Sequence, residues 1–409
     1  MTRSKRSIKS VRSAVSNRSF GKVLLLLGGI AFALLVAEVL LRLVGFNYFN
    51  PYVPDQDVGY SLKPNAEGWW KREGLTYVKI NSHGFHDREH TIAKPPDTFR
   101  IAVLGDSYVE AFQVPIERAF WSVMERKLQE CHPTNGRRIE VLSFGVSGFS
   151  TSRELILLQK RVWQYSPDVV VLLVTSSNDI RDNSRRLSHY TNALPYFVIQ
   201  DGKLVLDDSQ IAARSRTLTF RLRQSFIGTA FNWLQNHSRL LGLIYTIREN
   251  YQSSSDAERR RKQSGDNDEP GLDKEVYREP VSPDWEEAWQ VTESLLKQMD
   301  DEVNAKHAKF LVVTGSTGVQ VNPDLAVRNN FMSRLGVNSL WYPDERIKRF
   351  GELEGFKVLN LAPVLGEYAS RNQVFLHGAD DNQGRGHWNE RGHRLTGELI
   401  AQDLCGMVQ

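Results

Sequence analysis

Four short segments of this sequence hold groups that could do chemistry together: Gly105-Asp106-Ser107-Tyr108, Gly145-Val146-Ser147-Gly148, Ser176-Ser177-Asn178-Asp179 and Gly386-His387-Trp388-Asn389. They supply a hydroxyl, a bare backbone, an amide and an imidazole. A serine hydroxyl is a poor nucleophile at neutral pH until a neighbouring base takes its proton, and His387 is the candidate base for Ser107. Attack on an ester carbonyl builds an oxyanion, for which the backbone N–H groups of Ser107 and Gly148 and the side-chain amide of Asn178 are candidate donors. Asp106 and Asp179 read as braces of their loops, and His393 as a packing or hydrogen-bonding residue. His83, His86 and His377, with the scattered carboxylates, lack metal-ligand spacing, so neither a metal nor another cofactor is expected.

Each segment lies C-terminal to a short apolar run. Ile101–Leu104, Ile139–Ser143, Val169–Thr175, Phe310–Thr314 and Val358–Leu361 read as strands, and helical periodicity fills the intervals at about 117–130, 151–165, 286–306, 344–354 and 390–404. The alternation predicts an α/β domain over residues 100–409, a doubly wound, mostly parallel five-stranded sheet flanked by helices. Ligands of such sheets bind beyond the carboxyl ends of the strands, where these segments fall. Residues 185–285 are out of register with that rhythm and form an insertion. Within it, Thr217–Tyr251 carries Phe, Leu, Ile and Trp at helical spacing with several Arg. It is read as helices packed on the core, in preference to helices that cap the site or lie near a bilayer. Residues 252–274, nearly devoid of apolar side chains, are read as a mobile loop. Residues 47–99, with turn formers around runs such as Thr76–Ile80, predict a β-rich lead-in, with Trp69 and Trp70 as a packed aromatic pair.

The 409 residues include 52 Lys+Arg against 48 Asp+Glu, with 41% hydrophobic and 24% charged, which is ordinary for a folded chain. Arg3, Lys5, Arg6, Lys9, Arg12, Arg18 and Lys22 crowd into residues 1–22 with no acid; taking these seven from the +4 total leaves the other 387 residues at −3. The basic excess thus belongs to a tail and not to a domain face, which argues against a nucleic-acid partner. Residues 23–46 are apolar except for Glu38 and Arg42, four apart on one helical face. The run is long enough to span a bilayer, and the basic tail before it predicts a cytoplasmic N-terminus with the rest of the chain outside, periplasmic or extracellular. A single-pass signal anchor is preferred to a cleaved signal peptide, because the run is long for the apolar part of one and no small-x-small site follows Phe46. Cys131 and Cys405 show neither a disulfide framework nor zinc spacing, and read as small buried hydrophobes.

From about Asp57 onward the chain resembles SGNH/GDSL-type esterases of the membrane-anchored bacterial kind. The residues that carry the likeness are Asp57–Asn65 and Asn81–Arg88 in the lead-in, then Ile101–Ser107, Gly145–Thr151, Asn178–Asn183 and His387–His393. The resemblance implies an SGNH-hydrolase-like, flavodoxin-like sheet, with Ser107 as nucleophile, Gly148 and Asn178 as oxyanion donors, and His387 as base. It departs at two positions. Ser176 stands where the family usually has Gly, and Gly384 stands where it often has the Asp that orients the histidine. The nearest acids are Asp380 and Asp381, with Asp381 preferred; a backbone carbonyl would instead leave a Ser–His dyad.

The implied activity is a membrane-tethered extracytoplasmic serine esterase. It would remove O-acyl groups, chiefly acetyl, from polysaccharide through an acyl-Ser107, with an acylated carbohydrate or small ester as substrate. The bilayer and polysaccharide-assembly proteins would be its partners; from composition alone, Trp341, Tyr342 and Trp388 are candidates to stack on sugar rings, though such aromatics are more often core residues. One alternative is a polysaccharide O-acetyltransferase built on the same site. Another, of a different class, is a non-catalytic glycan-binding or scaffold component of a membrane assembly.

Overall fold

The chain opens in a long helix, α1 (Lys5–Leu43), whose Phe20–Leu43 portion is long and apolar enough to cross a membrane. The computed structural model describes residues 5–46, 48–131, 136–188, 193–248, 272–379 and 382–408. Two antiparallel hairpins follow α1: β1 (Tyr52–Asp55) with β2 (Gly59–Leu62), and β3 (Glu67–Trp70) with β4 (Thr76–Lys79). Trp69 and Trp70 do not pair, because adjacent strand residues face opposite ways. Trp69 meets Tyr77 edge-on at 5.4 Å, and Trp70 meets Phe112 at 5.1 Å.

The five apolar runs become β5 (Thr98–Gly105), β6 (Arg138–Gly145), β7 (Val169–Val174), β10 (Lys309–Thr314) and β11 (Lys357–Asn360); β8 (Tyr196–Gln200) and β9 (Lys203–Asp207) form a separate hairpin. The five are all parallel, in the order β11-β10-β7-β5-β6. This is the flavodoxin-like order, with its switch point at β5: the chain leaves β5 for β6 on one side and then crosses to β7 on the other. The strand sequences are almost uniformly apolar because both faces are covered. Ala102, Leu104, Leu172, Val174 and Val312 point into one core, and Ile101, Val103, Val171, Leu173 and Val313 into the other.

Helices supply the covering layers. The helices after α1 are α2 (Ser107–Glu110), α3 (Phe120–Cys131), α4 (Thr151–Lys160), α5 (Asp179–Asn183), α6 (Ser209–Ser215), α7 (Leu218–Gln224), α8 (Phe226–His237) and α9 (residues 239–248), then α10 (Pro283–Ala305), α11 (Leu325–Leu335), α12 (Tyr342–Glu354), α13 (Ala362–Asn372) and α14 (Glu390–Val408). α4 and α10 pack on the first face, and α3, α13 and α14 on the second. Cys131 and Cys405 are not free buried thiols as the sequence suggested. They sit near the C-terminal ends of α3 and α14 with Cα atoms 6.4 Å apart and form a disulfide. Their separation of 274 residues hid a pairing that only helix packing creates.

The chain divides into two compact units, Met1–Phe49 with Leu222–Glu258, and Asn50–Arg221 with Arg259–Gln409. The sheet belongs to the second. Among the described residues, the apolar stripe of the insertion faces outward where core packing was expected: Phe226 is 87% and Ile227 70% exposed, and Leu222, Ile244 and Ile247 are exposed as well. Helical spacing marks an apolar face without stating what covers it. The stretch read as a mobile loop, 252–274, lies outside the described residues as far as 271.

Candidate active site

β5 ends at Gly105, and Asp106 caps the short helix that begins with Ser107, its Oδ1 accepting from Tyr108 N at 2.9 Å. The cap turns the chain sharply, so that the Ser107 side chain stands beyond the strand end. His387 reaches the same point from the segment before α14. Its Nε2 lies 2.7 Å from Ser107 Oγ, and its Nδ1 lies 2.5 Å from Glu73 Oε2, which also accepts from His387 N at 3.0 Å. A carboxylate at Nδ1 makes that nitrogen the donor, which leaves Nε2 as the acceptor facing the serine.

Glu73 comes from the turn between β3 and β4, 314 residues from His387. Its backbone takes φ 55°, and Gly386 makes room for it: at φ 75°, a Cβ on residue 386 would stand 2.9 Å from the Glu73 carboxylate. Asp381, the expected orienting acid, lies outside the described residues, as does Asp380. Among the described residues, Glu73 is the carboxylate at Nδ1. No local pattern announces Glu73; the one trace it leaves is a lone acid beside Gly74 in a hairpin turn.

Around the ring, Tyr108 packs on His387 at 4.9 Å and donates to Gly386 O at 3.1 Å. The same carbonyl accepts from His377 Nδ1 at 2.7 Å, and Ser316 joins His377 Nε2 to Trp388 Nε1. Burial pushes the His377 pKa down to about 4, so this ring stays neutral and holds the loop. Trp388 is buried in the second core and presents no face to a sugar. Burial would lower the His387 pKa too, but the hydrogen bond and charge of Glu73, with Asp106 and Glu110, outweigh it and raise the value. For Glu73, burial would raise the pKa, and the bond to His387 lowers it below the usual range.

The glycine segment after β6 is held from three directions. Ser147 N donates to Glu110 Oε1 at 3.0 Å, Tyr60 Oη donates to Ser147 O at 2.8 Å, and the Arg153 guanidinium donates to Gly148 O. Tyr52 Oη adds bonds of 3.0 and 2.9 Å to the Glu110 carboxyl, whose pKa burial pushes up to about 8. No described residue accepts from the N–H of Ser107 or of Gly148. Asn178 Nδ2 donates to Asp106 Oδ2 at 3.2 Å, leaving its second hydrogen for another acceptor. Asp106 therefore links the nucleophile turn to the asparagine turn, and Asp179 takes the bond from Thr175 N at 2.7 Å. His393 is a packing residue: buried, stacked on Phe120 at 6.1 Å and accepting from Phe120 N.

Ser107, Gly148 and His387 open into one cavity of about 570 Å³. Tyr52, Tyr60, Trp70 and Phe112 wall it, with Arg72 and Arg214 as its cations. Trp341 and Tyr342 lie elsewhere, at the start of α12.

No family model matches the chain. An arylesterase of Vibrio mimicus is 29% identical over 82 residues, 20% of this chain and 39% of the relative, so the match spans about two fifths of that protein's length. Among solved structures, an acetyl xylan esterase, AlAXEase, aligns with a TM-score of 0.38 at 12% identity, over 76% of this chain and 100% of that one. A catalytic mutant of an acetylxylan esterase from Geobacillus stearothermophilus aligns at 0.36 and 11% identity, over 76% and 94%. The chain is similar to esterases.

Proposed function

We propose that this protein is a membrane-tethered serine esterase of the SGNH type that hydrolyses O-acyl esters, chiefly acetyl esters of carbohydrate, through an acyl-Ser107 intermediate. One observation carries the reading: Ser107 Oγ, His387 and Glu73 stand in line at 2.7 and 2.5 Å, at the switch point of the sheet. As Oγ attacks the ester carbonyl, His387 Nε2 takes the hydroxyl proton, and Glu73 steadies the imidazolium. The tetrahedral oxyanion is received by the N–H groups of Ser107 and Gly148 and the spare hydrogen of Asn178. His387 returns the proton to the leaving alkoxide. A water then gives its proton to the same nitrogen, attacks the acyl group, and releases carboxylic acid and free serine. The aromatic walls Tyr52, Tyr60, Trp70 and Phe112 suit the apolar faces of a sugar ring, and the two arginines suit its hydroxyls.

In this reading residues 1–22 are a cytoplasmic tail, 23–46 the anchor, 47–99 the lead-in and 100–409 the catalytic domain outside. The 24 residues of Phe20–Leu43 reach about 36 Å as a helix, enough for about 30 Å of hydrocarbon. The Cys131–Cys405 disulfide supports an oxidising compartment, since such bonds rarely persist in the cytosol. Full-length protein in detergent is expected to turn over an activated acetate ester and to show acetyl-Ser107 by mass spectrometry. Ser107→Ala should lower kcat by about 10³-fold or more. Equal slow turnover by both proteins, with no acyl adduct, would leave a non-catalytic scaffold as the better reading.

A further inference from the structure

Glu38 is an acid within an apolar run, and its carboxylate is fully engaged. Oε1 accepts from Arg239 N at 2.9 Å, and Oε2 accepts from Leu240 N and Ser238 Oγ, each at 3.0 Å. Arg42 Nε donates to Oε1 at 2.9 Å, and the same guanidinium reaches the carbonyl of His237 at 2.7 Å. The N–H groups of residues 239 and 240 are the first of α9 and have no partner within that helix. Glu38 therefore caps α9 from another helix, with its negative charge at the positive end of the α9 dipole. Tyr48 stacks on Tyr245 at 6.0 Å a turn further along, so α9 is fastened at two points. An acid this near the end of a span is costly unless partnered, and these contacts partner it.

Fastened there, α8 and α9 expose Phe226, Ile227, Leu234, Ile244 and Ile247, alongside the exposed apolar surface of α1 itself. Residues 222–248 contain three Arg (Arg223, Arg239 and Arg248) and no Asp or Glu. Exposed apolar side chains in a cationic, acid-free stretch are the composition of a helix that lies in the plane of an anionic lipid surface.

We propose that α8 and α9 form an interfacial helix pair, stapled to α1 by Glu38, which embeds Phe226, Ile227, Ile244 and Ile247 in the headgroup region of an anionic bilayer. The proposal rests on the reading of α1 as a membrane anchor. Full-length chains carrying Ile227→Cys, Ile244→Cys, Ile30→Cys in α1 or Leu353→Cys in α12 would be labelled with a fluorophore. They would be reconstituted in phosphatidylcholine vesicles with or without phosphatidylglycerol, then exposed to a lipid-borne nitroxide quencher or to aqueous iodide.

Positions 227 and 244 should be quenched severalfold more by the lipid nitroxide than position 353, more so with phosphatidylglycerol, and Glu38→Ala should reduce the effect at 244 but not at 30. Iodide access at 227 and 244 equal to that at 353, with position 30 in lipid, would overturn the pair and leave the anchor standing. Shielding of 227 and 244 from both quenchers would mean a protein partner and would also overturn it. Iodide access at position 30 would remove the anchor reading and with it the proposal that rests on it.

Discussion

The most consequential residue in the site is one that nothing local reveals. Glu73 holds the Nδ1 proton of His387 and so fixes which ring nitrogen faces Ser107. Glu73→Gln should lower kcat by roughly 10²–10⁴-fold with little change in KM, the scale seen when the third member of such a triad is lost. The sign of the pH effect follows. Catalysis needs neutral His387, and Glu73 raises its pKa, so the acid limb of kcat/KM should move to lower pH in the variant while the plateau falls. An unchanged limb in a pH–rate series would mean that Glu73 does not set the histidine. The Ser107–His387 contact was legible because each residue sits in a short string with turn formers beside it. Glu73 was not, because its partner lies 314 positions away. Glu110 was overlooked for a related reason: only burial makes it unusual. Its pKa rises from 4.5 to about 8, so the folded state holds a proton that the unfolded state gives up first. The stability it contributes is present below pH 4.5 and lost as pH rises to about 8. Glu110→Gln stays neutral and should flatten that slope, by up to a few kcal/mol between pH 5 and 9 in denaturant titrations.

At the scale of elements, the five strands were readable because burial on both faces leaves an uninterrupted apolar run. Where they carry the site depends on contacts no run encodes. Gly145, the last residue of β6, lies against the backbone of α2, and a Cβ there would stand 2.1 Å from Glu110 N. Backbone cannot yield as a side-chain tip can, so Gly145→Ala should push α2 outward and displace Ser107. A stability loss of about 1–3 kcal/mol by thermal unfolding is expected, with a larger proportional loss of esterase turnover. The disulfide between α3 and α14 and the outward stripe of α8 and α9 were misread for a shared reason. Spacing along one helix describes that helix alone, while both features belong to pairs of elements brought together across about 200 residues or more.

At the scale of the whole molecule, the βα rhythm pointed to the doubly wound sheet that the five strands form. If Phe20–Leu43 spans a bilayer, the full chain should stay with the membrane pellet after an alkaline carbonate wash and leave it only with detergent. Release by carbonate would show surface attachment instead. The alcohol, the carboxylate and the imidazole lie at positions 107, 73 and 387 of one polypeptide. A ribosome that has delivered the first two has still to add 280 residues before the imidazole exists. In the proposed esterase reading, ester cleavage starts only when the segment carrying His387 has been made and has folded back onto Ser107.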